Sequence, residues 1–83
     1  MILNLHEKVR VGAVFENSPR PVWFSLRGEK VTVKDICYRW KERAGNDIVH
    51  KYTVTDGLNV FELSFSGLDA CWYLEGMDEG DGK

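Results

Sequence analysis

The sequence predicts an α+β domain with the element order β-β-β-α-β-β-β, an antiparallel twisted sheet or small, partly open barrel with one amphipathic helix packed on it. Three observations predict it. Apolar residues recur at every second position in six segments, the signature of half-buried strands. The period changes once, over residues 33–44, to the three-and-four spacing of a helix. Turn-forming residues separate most of the segments.

Segment 8–15 places Val9, Val11, Ala13 and Phe15 in alternation with Lys8, Arg10 and Gly12. Asn17-Ser18-Pro19-Arg20-Pro21 then ends pairing, because proline lacks the ladder donor. Segment 22–27 puts Val22, Phe24 and Leu26 on one face and Trp23, Ser25 and Arg27 on the other. Gly28-Glu29 connects it to Lys30-Val31-Thr32-Val33, which reads as a hairpin.

In residues 33–44, Val33, Ile36, Cys37, Trp40 and Ala44 form one helical stripe. Thr32 is placed to cap the helix N-terminus, Asp35 lies in its first turn, and Lys41 and Arg43 lie in its last. Gly45 follows, where a left-handed residue ends many helices. Segment 47–55 alternates Ile48, His50, Tyr52 and Val54 with Val49, Lys51, Thr53 and Thr55. Asp56-Gly57 turns the chain into 58–65, with Phe61, Leu63 and Phe65 on one side. Ser66-Gly67-Leu68-Asp69 leads into 70–77, where Trp72 and Leu74 share a face. The predicted core is Val9, Val11, Phe24, Leu26, Ile36, Cys37, Trp40, Val54, Phe61, Leu63, Phe65, Trp72 and Leu74. Residues 1–77 read as a single domain and 78–83 as a disordered acidic tail.

A chain of 83 residues accommodates one domain, and its 43% apolar content with a net charge of −2 excludes a disordered chain. The first residues lack a basic stretch before a long apolar run, and no apolar run reaches the roughly 18–20 residues of a membrane span. The reading is a cytoplasmic protein without membrane contact, with Cys37 and Cys71 as reduced thiols. Charge is unevenly spread. Residues 1–55 hold ten Lys/Arg against six Asp/Glu, and residues 56–83 hold one against seven.

No catalytic residue, metal site or cofactor is assigned. Cys37, Cys71, His6 and His50 lack the close-spaced partners of a zinc site. No Gly-x-Ser-x-Gly elbow and no phosphate-binding loop occur. Binding fits the residues better. Trp23 and Arg27 lie on the polar face of the second strand with Arg20 just before it, Lys34, Tyr38, Arg39, Lys41 and Arg43 cover the exposed side of the expected helix, and Lys51 lies on the fourth strand. Aromatics interleaved with cations suit a protein partner, a homodimer or, as an alternative, nucleic acid.

The block Arg20-Pro21-Val22-Trp23-Phe24, a Gly-containing turn, and Val33 leading into Ile36-Cys37-Tyr38-Arg39-Trp40 is followed by Tyr52-Thr53-Val54-Thr55-Asp56-Gly57, Phe61-Glu62-Leu63 and Trp72-Tyr73-Leu74-Glu75-Gly76. This succession resembles a small bacterial domain of unknown function, over about residues 16–77. In that family a Pro-x-x-Phe strand precedes a helix containing Arg-Trp, then a Tyr-x-Leu strand and a closing Trp-x-Leu strand. The resemblance implies a stand-alone chain, sometimes found beside relatives of Y-family DNA polymerases, and brings no catalytic residues. The expected function is therefore a non-enzymatic accessory or protein-interaction domain, with a tie to DNA repair implied by the resemblance. The alternative is a nucleic-acid-binding module on the Trp23/Arg27 strand and basic helix face. A third reading is a thiol enzyme centred on Cys71 and His50.

Overall fold

The computed structural model describes residues 2–78, with side chains described from Leu5 onward. Eight strands follow in order: β1 (Ile2–Val9), β2 (Val11–Phe15), β3 (Pro19–Leu26), β4 (Glu29–Thr32), β5 (Asp35–Ala44), β6 (Asp47–Thr55), β7 (Val60–Ser66) and β8 (Cys71–Asp78). They form two antiparallel sheets, one ordered β1-β8-β7-β6-β5 and the other β2-β3-β4. The expected α+β class is thus corrected to all-β. Among the described residues there is no helix, and the stretch expected to be one is β5.

The reason lies in a competing period. Residues 38–43 also alternate, with Tyr38, Trp40 and Glu42 interleaved by Arg39, Lys41 and Arg43. A strand can satisfy that alternation, and β6 supplies a partner along its whole length, from Asp35↔Thr55 to Ala44↔Asp47. Gly45 takes φ +64°. This left-handed geometry was expected to stop a helix, and it instead turns a two-residue hairpin loop, which calls for the same sign of φ. Positive φ at both Arg27 and Gly28 likewise makes the β3–β4 loop a mirror-image turn whose twist matches its strands.

Two bends carry the chain from one sheet to the other. At Arg10 the path from β1 to β2 keeps its bonding, since the Arg10 carbonyl accepts from Ser25 N–H at 2.9 Å. At Val33–Lys34 the path from β4 to β5 does the same. Val33 N–H donates to Val22 O at 3.0 Å, and Lys34 N–H donates to Thr55 O at 2.8 Å. The sheets therefore wrap a shared core of Phe24, Tyr52, Val54, Phe61, Leu63, Trp72 and Leu74, with Val9, Val11, Leu26, Ile36 and Phe65 packed against it. Phe24 of one sheet meets Phe61 of the other edge-on at 5.0 Å. Two expected core residues are not there: Cys37 is exposed, and Trp40 is 38% exposed. Their burial depended on a helical stripe that does not form. Tyr52 takes a core place instead, with its hydroxyl donating to the Pro19 carbonyl.

The expected acidic tail falls differently at its start, because Asp78 closes β8, and residues 79–83 lie outside the described residues. Among the described residues no helix is long and apolar enough to cross a membrane.

Trp23 lies across Gly12 on the three-stranded sheet. A Cβ at Gly12 would sit 1.9 Å from the indole Nε1. Gly12→Ala is therefore expected to destabilise the fold by about 1–3 kcal/mol, the cost of an overpacked contact. Denaturant unfolding followed by tryptophan fluorescence measures it, and an unchanged midpoint would show that the indole moves aside freely.

Candidate functional site

The link from β4 to β5 stays bonded to β3 at Val33–Val22 and turns to β6 at Lys34. β4 covers only the second half of β3, from Trp23↔Thr32 to Leu26↔Glu29. β5 is the last strand of its sheet. Between the uncovered start of β3 and the start of β5 lies a groove of about 430 Å³, lined by Arg20, Pro21 and Val22 on one side and by Val33 through Arg39 on the other. A smaller hollow of about 230 Å³ continues along β5, between Ser18 and the Arg39–Lys41 stretch, with His50 and Tyr52 as its floor.

β5 itself is exposed at every position except half-buried Ile36. Its register slips at Cys37, between Ile36↔Val54 and Tyr38↔Thr53. From there on the strand alternates regularly. Arg39, Lys41 and Arg43 pair with Tyr52, His50 and Ile48, so they share the face that includes the buried Tyr52. Tyr38 and Trp40 pair with Thr53 and Lys51 and share the opposite face. Tyr38 is 72% exposed. The Trp40 indole donates to Glu42 Oε2 at 3.0 Å. Burial pushes the Tyr52 phenol up, and the nearby Arg39 charge offsets part of that rise. Ion pairs among the described residues join His6 to Glu75 and Arg27 to Glu7, so Arg20, Lys34, Arg39, Lys41 and Arg43 have no carboxylate partner there.

The structure divides the sequence-derived candidates into three groups. Arg20, Lys34, Tyr38 and Arg39 come together in the groove, and Lys41 and Arg43 extend the same strand. Trp23 and Arg27 belong elsewhere. Lys30 Nζ lies 5.3 Å from the Trp23 ring centroid, and Arg27 pairs with Glu7 at 3.5 Å. Lys51 sits on the other face of the five-stranded sheet, opposite Trp40 and Ser64. The basic helix face is replaced by a basic strand face, and Trp23 with Arg27 is not continuous with it. The thiol-enzyme geometry does not form either. His50 faces Phe65 in the interior at 6.1 Å, whereas Cys71 pairs with Ser66 two strands away on the opposite face. Cys71 is half-buried, and its thiol donates to the Asp69 carbonyl at 3.4 Å. Among the described residues no group of three His, Cys, Asp or Glu could hold a metal ion.

Reading by sequence missed one polar cluster. Glu75 accepts from Ser64 Oγ at 2.6 Å and from His6 Nδ1 at 3.0 Å, and the His6 ring stacks on Tyr73 at 4.6 Å. His6 and Glu75 are 69 positions apart, so no local pattern links them. The imidazole does not reach the hydroxyl, and the carboxylate that does is held below its ordinary range beside a buried serine, so the cluster lacks a base strong enough to activate a nucleophile. Nor does any known protein family, curated protein or solved structure match the chain. The resemblance had implied a helix at Arg39-Trp40, where the chain has β5.

Partial burial works to raise the Glu75 pKa, but hydrogen bonds from His6 and Ser64, with the charges of His6 and Lys51, outweigh it and leave the carboxyl below its ordinary range. A group depressed in the folded state adds stability above its unfolded pKa and loses it as pH falls through the folded one. Glu75→Gln is expected to flatten the acid-side loss of stability, read as denaturant midpoints from neutral pH down through the carboxylate range. An identical slope in both proteins would mean that Glu75 does not contribute it.

Proposed function

We propose that this chain is a non-enzymatic protein-interaction domain whose binding surface is the free edge of β5 and the groove beside it. The observation that carries this reading is β5 itself, ten residues long, exposed at nine, with one side unpartnered by any described strand beyond Lys34. A long free edge is a template for pairing with another chain, which is why folds so often cover or shorten it. The groove adds apolar footing from Pro21, Val22 and Ile36 beneath the charges of Arg20 and Arg39. A cytoplasmic site of action is part of the proposal. Two free thiols, Cys37 exposed and Cys71 half-buried, suit a reducing compartment.

A protein partner fits this surface better than nucleic acid does. Single strands are gripped where bases stack and phosphates are neutralised on one surface. Here the aromatics and the cations of β5 occupy opposite faces, and the Trp40 indole is engaged by a carboxylate.

The test is position-specific photo-cross-linking in living cells. Tyr38→p-benzoylphenylalanine is expected to give discrete protein adducts that resist nuclease and disappear when Arg39→Glu and Lys41→Glu are added. The same probe at Leu58, which is 79% exposed on a distant turn, is expected to give none. The reading falls if Tyr38 yields no discrete adduct, or if nuclease removes it.

A further inference from the structure

We infer that the free edge of β5 takes up an extended acidic segment of another protein as an added strand, its acidic residues alternating with apolar ones. This rests on the interaction reading above and specifies the partner's chemistry. In a strand, successive side chains point to opposite faces, and residues facing each other across a pair share a face. Any strand laid along β5 therefore meets a row of cations on one face, Arg39, Lys41 and Arg43, at every second residue. On its other face it meets Tyr38 and Trp40. The matching sequence carries acids at one parity and apolar residues at the other. At the groove end the same strand passes between Arg20 and Lys34, which deepen the positive field.

Charge complementarity selects this occupant over a second copy of the chain. Self-pairing of β5 would set one cation row against another, and inward-facing charges are a common guard against edge-to-edge association. Two described acids near the cation row are engaged elsewhere, and Asp35, which lines the groove beside Lys34, lies at the opposite end of β5 from Lys41 and Arg43. Glu42 accepts from Trp40, and Asp47 accepts from Ser66 Oγ at 2.6 Å and from Leu68 N–H at 2.9 Å.

Fluorescence anisotropy with labelled synthetic peptides tests the inference. One peptide alternates glutamate and valine over about nine residues, roughly the span of β5 at ~3.3 Å per residue. A second has the same composition with all glutamates first. The alternating peptide is expected to bind at least about tenfold more tightly than the block peptide. Its binding is expected to be lost with Arg39→Glu/Lys41→Glu and weakened with Arg39→Gln/Lys41→Gln, with circular dichroism confirming that both variants fold. N-methylation of alternate peptide amides is expected to abolish binding in one phase and spare it in the other, because an added strand bonds β5 through one edge only. Equal binding of the two peptides, indifference to both methylation phases, or tighter binding of oligothymidylate of the same length would each overturn the inference. If these peptides fail while the Tyr38 cross-link forms, the acidic-strand inference falls and the interaction reading stands. If the cross-link fails too, both fall.

Discussion

Phe24 is fully buried in the three-stranded sheet and packs edge-on against Phe61 of the five-stranded one. Phe15 and Phe65 make a second ring contact between the sheets at 6.3 Å, and Val11 and Leu26 pack on the same core, but Phe24 is the fully buried aromatic that the three-stranded sheet contributes. Burying each of Phe24 and Phe61 is worth about 1.5–3 kcal/mol, and truncating such a residue in a well-packed core costs about 3–5 kcal/mol. In a chain of 83 residues that is a large share of the total stability. Tyr52 adds a second tie. It packs on Trp72 at 5.5 Å and bonds across to the Pro19 carbonyl, so the start of β3 is held even where β4 does not cover it.

The groove follows from this arrangement. β4 is four residues long, and the backbone bond from Val33 to Val22 extends its pairing with β3 by one residue into the link to β5. One residue later Lys34 has already turned to pair with Thr55. Beyond that bend β3 and β5 cannot bond to each other, and each keeps a side without a strand neighbour. An unprotected edge of this length is an aggregation hazard, and β5 moderates it with a register slip at Cys37 and a row of Arg and Lys. On our proposal, the same devices that discourage self-association make the edge selective for a chain of opposite charge.

The uneven charge of the sequence gains a structural meaning. The carboxylates divide their labour with the turns and the outer sheet face. Asp56 accepts from Leu58 and Asn59 N–H at 2.8 Å, and although partial burial raises its pKa, those backbone bonds bring it below the ordinary range. Asp47 staples the β7–β8 loop through Ser66 and Leu68, and the Ser66 hydrogen bond, outweighing the effect of burial, lowers its pKa. Glu75 gathers His6 and Ser64. With these acids committed to holding the fold, the cations of β5 face solvent.

By itself the sequence determined the alternation of Phe24, Phe61, Leu63, Trp72 and Leu74, and the turns at Gly28 and Asp56-Gly57. Each depends on neighbours within a few positions and on side-chain parity. It did not determine the conformation of residues 33–44, because that stretch satisfies two periods at once. Val33, Ile36, Cys37, Trp40 and Ala44 make a helical stripe, while Tyr38 to Arg43 make a strand. Gly45 serves either outcome with the same positive φ. Only the tertiary structure decided between them, since the pairing of β5 with β6 satisfies a backbone ladder that a helix would have satisfied internally. It also decided which cations share a surface. Arg20 and Arg39 line one groove although they lie nineteen positions apart, and Lys51 turns away because its parity on β6 points it to the other face.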